Sequence, residues 1–446
     1  MGNNKERHII NVIGAGLAGC EAAWQIACRG IKTELYEMKP IKKTPAHHSD
    51  GFAELVCSNS LKAARFASAA GMLKQEMRIL GSLLLECADK CSVPAGGALA
   101  VNRDDFSAMV TEKIKSHPNI TVISEEITEI PNDGICIIAT GPLTSDLLAE
   151  NIKNRFGGAL SFFDAAAPIV TAESIDMENA FSASRYGKGS PDDYINCPLD
   201  KEEYEIFHRE LVNAERAALK DIDVRNPKVY EGCMPIEVMA QRGEDTIRFG
   251  PMKPVGLTKP KTGHRPWAVL QLRKENREGT LYNMVGFQTN LKFPEQKRVF
   301  SLIPALKNAD FVRYGVMHRN TFINSPQLLN PDFSLRENPN IFFAGQMTGV
   351  EGYMESGSSG LVAGINAARL FENLLSLTFP KETMTGALAA YISDSSVNDF
   401  QPMGANIGIL PPLAENIRDK KLKAEKLAER SFSVLEAFMD ENRIKL

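Results

Sequence analysis

The chain has 446 residues, 43% of them hydrophobic and 24% charged, with a formal net charge of −4. Such a length buries a large core and divides into about two or three domains. No stretch reaches the ~20 apolar residues that cross a bilayer. The N-terminus lacks a basic-then-apolar signal, and eight cysteines in so long a chain make no disulfide framework, so a cytoplasmic protein is expected.

His8–Ile13 is a near-continuous apolar run apart from Asn11, as a strand buried on both faces reads. It runs into Gly14-Ala15-Gly16-Leu17-Ala18-Gly19, and a helix over Leu17–Cys28 follows at once. Gly14 permits the tight turn, Gly16 lets the backbone approach a pyrophosphate, and Gly19 lets helix and strand pack closely. The free N–H groups of the helix start then face the phosphates. Ile31–Glu37 reads as the second strand, and Glu37 ends it 18 residues after Gly19, where a carboxylate accepts hydrogen bonds from ribose hydroxyls. Strand, glycines, helix, strand and acid in this order point to an adenine dinucleotide site.

A polar loop, Lys39–Asn59, carries His47, His48 and Cys57, and a helix opened by a serine cap is expected over Ser60–Leu80. Cys87 and Cys91 are spaced CxxxC on an apparent helix and, like Cys20, Cys28 and Cys136, read as apolar packing thiols. Pro94–Val101 is a glycine-rich turn into a strand, Arg103–Ser116 is helical, and Ile120–Ser124 with Glu126–Ile130 reads as a short strand pair. Gly134–Ala139 is a buried strand ending at Ala139-Thr140-Gly141, a turn that leads the chain away beside the cofactor.

The βα rhythm then breaks. Ala166–Ala172, Arg248–Phe249, Trp267–Arg273 and Leu281–Gly286 are β-like, Lys201–Ala217 is helical, and Pro and Gly turns are frequent. The expected architecture is therefore α/β: a Rossmann-type (glutathione-reductase-like) domain from residues 1–142 and 313–446, with an inserted α+β domain over 143–312. The frame returns at Phe311–Ile323 and the buried strand Asn340–Gly345. A long helix is expected over Ser358–Leu374, and Ala414–Phe438 reads as an exposed C-terminal helix.

The second glycine-rich stretch, with Gly345, Gln346, Gly349, Gly352, Tyr353 and Gly357, decides the cofactor. One Rossmann turn suffices for NAD, whereas FAD enzymes often add a late strand–glycine–helix turn that meets the pyrophosphate and the flavin ring. FAD is expected, with the helix start favouring an anionic reduced ring. Flavoproteins commonly carry Asp after this glycine; here it is Gln346. No metal site is expected.

Residues 251–325 hold 13 Lys/Arg against 4 Asp/Glu, leaving the rest of the chain at −13. That segment, with Lys259, Arg265 and Arg273, reads either as solvated surface or as a face that meets an anionic macromolecule. Cys57 precedes an expected helix start, with His47, His48 and Lys62 near in sequence, and Cys233 sits in an irregular glycine–proline turn. Both are candidates for reactive thiols.

The segments NVIGAGLAGCEAAWQIACRG, LYEMKP, TPAHHSDGFAELVCSNSLKA, EGCMPIE and FFAGQMTGVEGYMESGSSGLVAGINAAR resemble the folate- and FAD-dependent tRNA uracil-5-methyltransferases over nearly the whole chain. The resemblance implies C5-methylation of the T-loop uridine of tRNA, with carbon from 5,10-methylenetetrahydrofolate and electrons from NADH or NADPH through FAD. It implies that Cys57 and Cys233 are the two functional cysteines, one adding to C6 of uracil and one serving the C5 proton, without saying which. Tyr353 then reads as an aromatic platform or as packing, and the 251–325 segment as a tRNA surface. No membrane and no obligate protein partner are implied. The alternatives are the same chemistry on ribosomal RNA, a wobble-uridine-modifying FAD enzyme (a family with a long helical C-terminal domain), a generic FAD-dependent oxidoreductase, and a flavin-containing RNA-binding factor whose thiols are spectators.

Overall fold

A computed structural model describes residues 9–444 except 45, 157–159, 166, 188–189, 191–192, 218–233, 277, 316 and 398–399, with only the backbone described for 160–165 and 317–321. The frame is a five-stranded parallel sheet in the order Ile341–Phe343, Ile135–Ile138, Ile10–Ile13, Thr33–Glu37, Ile120–Ser124. Ile10 pairs with Thr33 on one side and Ile135 on the other. The chain thus reverses direction across the sheet at its first strand, and ligands of open α/β sheets bind outside the carboxyl ends of strands at such a point.

Two helices cover that point. Leu17–Cys28, the opening helix, packs on Tyr353–Phe371, the closing helix, through backbone-to-backbone contact. A Cβ on Gly360 would stand 2.1 Å from Ala18 O, and one on Gly364 2.7 Å from Ala22 O. Only glycine permits so close an approach. The apolar strands and these helices form one hydrophobic core.

A second core lies under a six-stranded antiparallel sheet ordered Phe181–Ser182, Tyr194–Leu199, Ala268–Lys274, Leu281–Met284, Ile169–Thr171, Phe311–Arg313. The chain passes towards and away from this sheet through Leu160–Ala165 and Met317–Phe322, which pair antiparallel with Met317 opposite Ala165. A three-stranded sheet of Ser60–Ala63, Ala98–Val101 and Ser92–Val93 completes the β-structure of the described residues.

Several sequence expectations need correction. Ser60–Leu80 is not one helix: Ser60–Ala63 is a strand, and the helix begins at Ala69, where the Ser68 hydroxyl accepts from Gly71 N–H. Glu126–Ile130 forms no strand, and Arg248–Phe249 lies in the short helix Thr246–Phe249. The helix from Lys201 stops at Asn213, and the C-terminal helix runs Lys420–Asn442 behind an Asp419 cap. The closing helix begins at Tyr353, five residues before Ser358, so glycines and serines that read as loop are its first turns. Cys20, Cys87, Cys91 and Cys136 are buried as expected, whereas Cys28 is exposed. In the 166–172 stretch the strand is Ile169–Thr171, and Ala166 lies outside the described residues.

Candidate active site

Three adjacent parallel strands end in glycine turns on the same edge of the sheet: Ile13 into Gly14, Ile138 towards Gly141, Phe343 towards Gly345. Gly14 (φ +98°) is pressed against Ala139 O, and a Cβ on Gly19 would stand 1.7 Å from Gly14 O, so strand and opening helix are locked together. Gly16, the residue capping that helix, differs. It has ordinary φ (−73°) and nothing within 4 Å of where a Cβ would sit. Space left beside a backbone that has no conformational need for glycine is what a phosphate cradle requires.

Glu37 ends its strand beside this cradle. Its carboxylate accepts from Ala15 N–H (2.8 Å) and Lys39 N–H (3.0 Å), so it fixes the turn while facing the cleft. The cleft, about 630 Å³ with its open mouth, is lined by Gly14, Ala15, Gly16, Glu37, His47 and Thr140 among others. His47 Nδ1 lies 2.8 Å from Thr44 Oγ1, and burial holds its pKa below the usual value. His48 is exposed and its N–H donates to Glu54 Oε1.

The closing turn uses positive φ at Gly345 (+86°), Gly349 (+85°) and Gly352 (+129°). Gly345 N–H donates to Ser359 Oγ, and Gln346 Nε2 donates to Glu351 Oε2 (2.7 Å). Gln346 therefore makes its bond within the turn. Lys62 Nζ pairs with the buried Glu355 of the helix's first turn (2.6 Å) and donates to Glu351 O.

The segment carrying Cys57 bridges the two turns. Ala53 N–H donates to Ala15 O (2.9 Å) at the opening turn. Cys57 N–H and Ser58 N–H both donate to Tyr353 Oη (2.7 and 3.1 Å) at the closing one. Burial, with the neighbouring Cys57 second, pushes the Tyr353 hydroxyl well above its usual pKa. Tyr353 is thus tied to the cysteine loop. Cys57 is partly exposed, and Arg103, Arg273 and Arg313 put three guanidinium groups around its loop.

Arg273 does not fit the reading of a surface contact. It is 6% exposed and donates to Asn59 Oδ1 (3.0 Å) and Ser58 Oγ (2.8 Å). Lys259 and Arg265 belong to the exposed turn where Lys259 N–H meets His264 O. Among the described residues neither side chain hydrogen-bonds to the Cys57 segment. Cys233 lies outside the described residues. Sequence reasoning passed over Arg103, Glu275 and Arg313, which carry no local motif, and over Ser58 and Asn59, which sit inside the quoted SNSL block.

Glycine turns at adjacent strand ends, an acid facing the cleft between them, and a thiol-bearing loop tied to both define a dinucleotide-binding protein of the Rossmann class. The family described as glucose inhibited division protein A matches residues 9–374. The chain is similar to the methylenetetrahydrofolate–tRNA-(uracil-5-)-methyltransferase TrmFO of Acetivibrio thermocellus, 62% identical over 431 residues, covering 96% of this chain and 98% of that protein. It is 60% identical over 430 residues to the protein of the same name from Desulfitobacterium hafniense, with the same coverage. Among solved structures it is similar to Aquifex aeolicus GidA, with a TM-score of 0.69 at 16% identity, covering 98% of this chain and 74% of that one; this likeness concerns the fold alone. The chain belongs to the TrmFO family of methylenetetrahydrofolate–tRNA-(uracil-5-)-methyltransferases.

Proposed function

We propose that this protein methylates C5 of the T-loop uridine of tRNA in the cytoplasm, taking the carbon from 5,10-methylenetetrahydrofolate and electrons from NADH or NADPH through FAD. The observation that carries this reading is the Cys57 loop held between the opening and closing turns, which supports a thiol acting beside a bound dinucleotide. High identity to the TrmFO proteins, over nearly their whole length, supports the substrate class.

Gly14, Ala15, Gly16, Leu17, Ala18 and Gly19 would hold the pyrophosphate of FAD and Glu37 a ribose. Gly141, Gly345, Gln346, Gly352 and Tyr353 would line the remainder. The open space beside Gly16 fits this, since nothing in the protein lies within 4 Å of where its Cβ would sit. When bound, FAD supplies the hydride that takes a one-carbon unit from methylene to methyl.

The residues of the chain prepare the base. C5 of uracil is a weak nucleophile, and a thiolate adding to C6 places enolate density on C5. Cys57 and Cys233 divide two tasks, addition to C6 and removal of the C5 proton. Arg103, Arg273 and Arg313 bring positive charge to the loop that carries the Cys57 sulfur. The target base must leave its stack to reach the sulfur. Within residues 143–312, the part from Ile169 onward packs on its own core and would form the RNA-facing unit, with Lys259 and Arg265 as phosphate contacts, whereas Leu148 and Ile152 join the core of the parallel-sheet frame.

The test is incubation with labelled methylenetetrahydrofolate, NADPH and unmodified tRNA or ribosomal RNA, followed by mapping of the labelled nucleotide. Wild type should label the T-loop uridine, and Cys57→Ala and Cys233→Ala should each reduce label to background. Undiminished label in both variants overturns the thiol mechanism, and label confined to ribosomal RNA overturns the tRNA assignment.

A further inference from the structure

Residues from elements far apart in sequence converge on the backbone of residues 55–58. Arg103, the first residue of the helix Arg103–Ser116, donates from Nη1 to Leu55 O (2.9 Å) and from Nη2 to Cys57 O (3.3 Å). Arg313, on the edge strand of the antiparallel sheet, donates to the carbonyl between them, Val56 O. From the other side Tyr353 takes the N–H groups of Cys57 and Ser58. The segment begins at Ala53 (φ +49°) and ends at Lys62 (φ +64°). Both are left-handed residues with a Cβ, a conformation that persists only where its surroundings over-determine it.

Three consecutive carbonyls held by two guanidinium groups leave little freedom to the peptide planes on either side of Cys57. Those planes aim its Cα–Cβ bond. Arg103 is itself anchored, because its Nε forms an ion pair with Glu275 Oε1 and the two side chains are only 13% and 6% exposed. Glu275 follows the strand Ala268–Lys274, so the anchor belongs to the antiparallel sheet. A planar guanidinium can serve the carboxylate and two carbonyls together, whereas an ammonium is a point charge with no fork.

We propose that Arg103, anchored by Glu275, is a positioning residue that presents the Cys57 sulfur to substrate in one orientation. This inference rests on Cys57 being a thiol of the reaction. It assigns no proton or bond change to Arg103.

Arg103→Lys keeps the charge beside Glu275 and loses the two-carbonyl clamp. Its melting temperature and flavin content should stay near those of wild type. For tRNA methylation kcat should fall ~10–100-fold, the scale of a misplaced reacting group, while KM for tRNA holds within about twofold. Alkylation of Cys57 by iodoacetamide, read by mass spectrometry of its peptide, should become several-fold faster as the loop loosens. Easier alkylation with slower turnover is the signature of lost orientation. Loss of thiol reactivity would lower both rates, and a kcat near that of wild type or a parallel fall overturns the proposal. Should Arg103→Lys fail to fold, Glu275→Gln must show the same divergence, and its absence is equally fatal. A wild-type protein that methylates no tRNA would count against the proposed function instead. The alkylation comparison would then judge the clamp alone, with unchanged alkylation overturning it.

Discussion

Gly16 and Gly19 stand three residues apart in one turn and serve different ends. Gly19 is required by the fold, because a Cβ there would overlap Gly14 O. A Cβ on Gly16 would have no protein atom within 4 Å, so a small side chain there should disturb chiefly what binds. Gly16→Val should leave apoprotein stability within about 1 kcal/mol of wild type while FAD affinity, measured by fluorescence titration, falls at least about tenfold. Gly19→Val should abolish folding. Lys74 shows the same scale acting on stability. It is fully buried and donates to Leu61 O (2.7 Å), and burial pushes its pKa from 10.5 down to about 8 despite opposition from Glu355. A depressed pKa means that Lys74 contributes stability above pH 10.5 that is lost as pH falls through about 8. The difference is on the order of 3 kcal/mol. Urea unfolding at pH 7 and pH 10.5 should therefore show Lys74→Met gaining on wild type by roughly that amount at the lower pH. Equal gains at both pH values would contradict a buried charge at this position.

At the scale of elements, buried carboxylates from distant segments cap helix starts. Glu76, within the helix Ala69–Ile79, accepts from Met384 N–H (2.7 Å), Thr385 N–H (2.8 Å) and Ser431 Oγ. It thereby ties together three helices. Glu21 on the opening helix does likewise for Leu83 and Leu84 N–H (3.2 and 3.1 Å) and Ser82 Oγ (2.7 Å). Burial raises the pKa of both carboxyls, and the hydrogen bonds they accept oppose that rise. Glu76→Ala leaves buried donors without a partner and should lower unfolding free energy by on the order of 3 kcal/mol in urea melts, with Glu76→Gln between the two. A loss under about 0.5 kcal/mol would mean that the cap is idle. A different long-range contact moves the helix start from Ser60 to Ser68: Ser60–Ala63 pairs with Ala98–Val101, a partner that no local pattern announces.

The whole molecule combines a net charge of −4 with a basic segment, and its RNA reading has an electrostatic consequence. Neutralising a phosphate contact lowers the slope of log affinity against log salt by roughly one. Lys259→Ala and Arg265→Ala should each do so for tRNA, measured by anisotropy across a salt series, whereas Arg273→Ala, a loss inside the protein, should lower melting temperature instead. Unchanged slopes for Lys259→Ala and Arg265→Ala would move the RNA surface elsewhere.

Local order was written in the chain: the opening strand, Gly14 to Gly19, the helix Leu17–Cys28 and the helix Arg103–Ser116 all follow from neighbours a few residues apart. Backbone conformation and amphipathic period are decided at that range. The Cys57 loop was legible as chemistry but not as geometry. Its partner Tyr353 is 296 residues away, and Arg273 lies 215 residues from the Ser58 hydroxyl it holds. The left-handed turns at Ala53 and Lys62 use residues with no preference for that conformation, and side chains arriving from other elements hold the segment between them. Adjacent residues specify which torsions are easy. Only the packed tertiary structure can bring the arginines, the tyrosine and the carboxylate together around one sulfur.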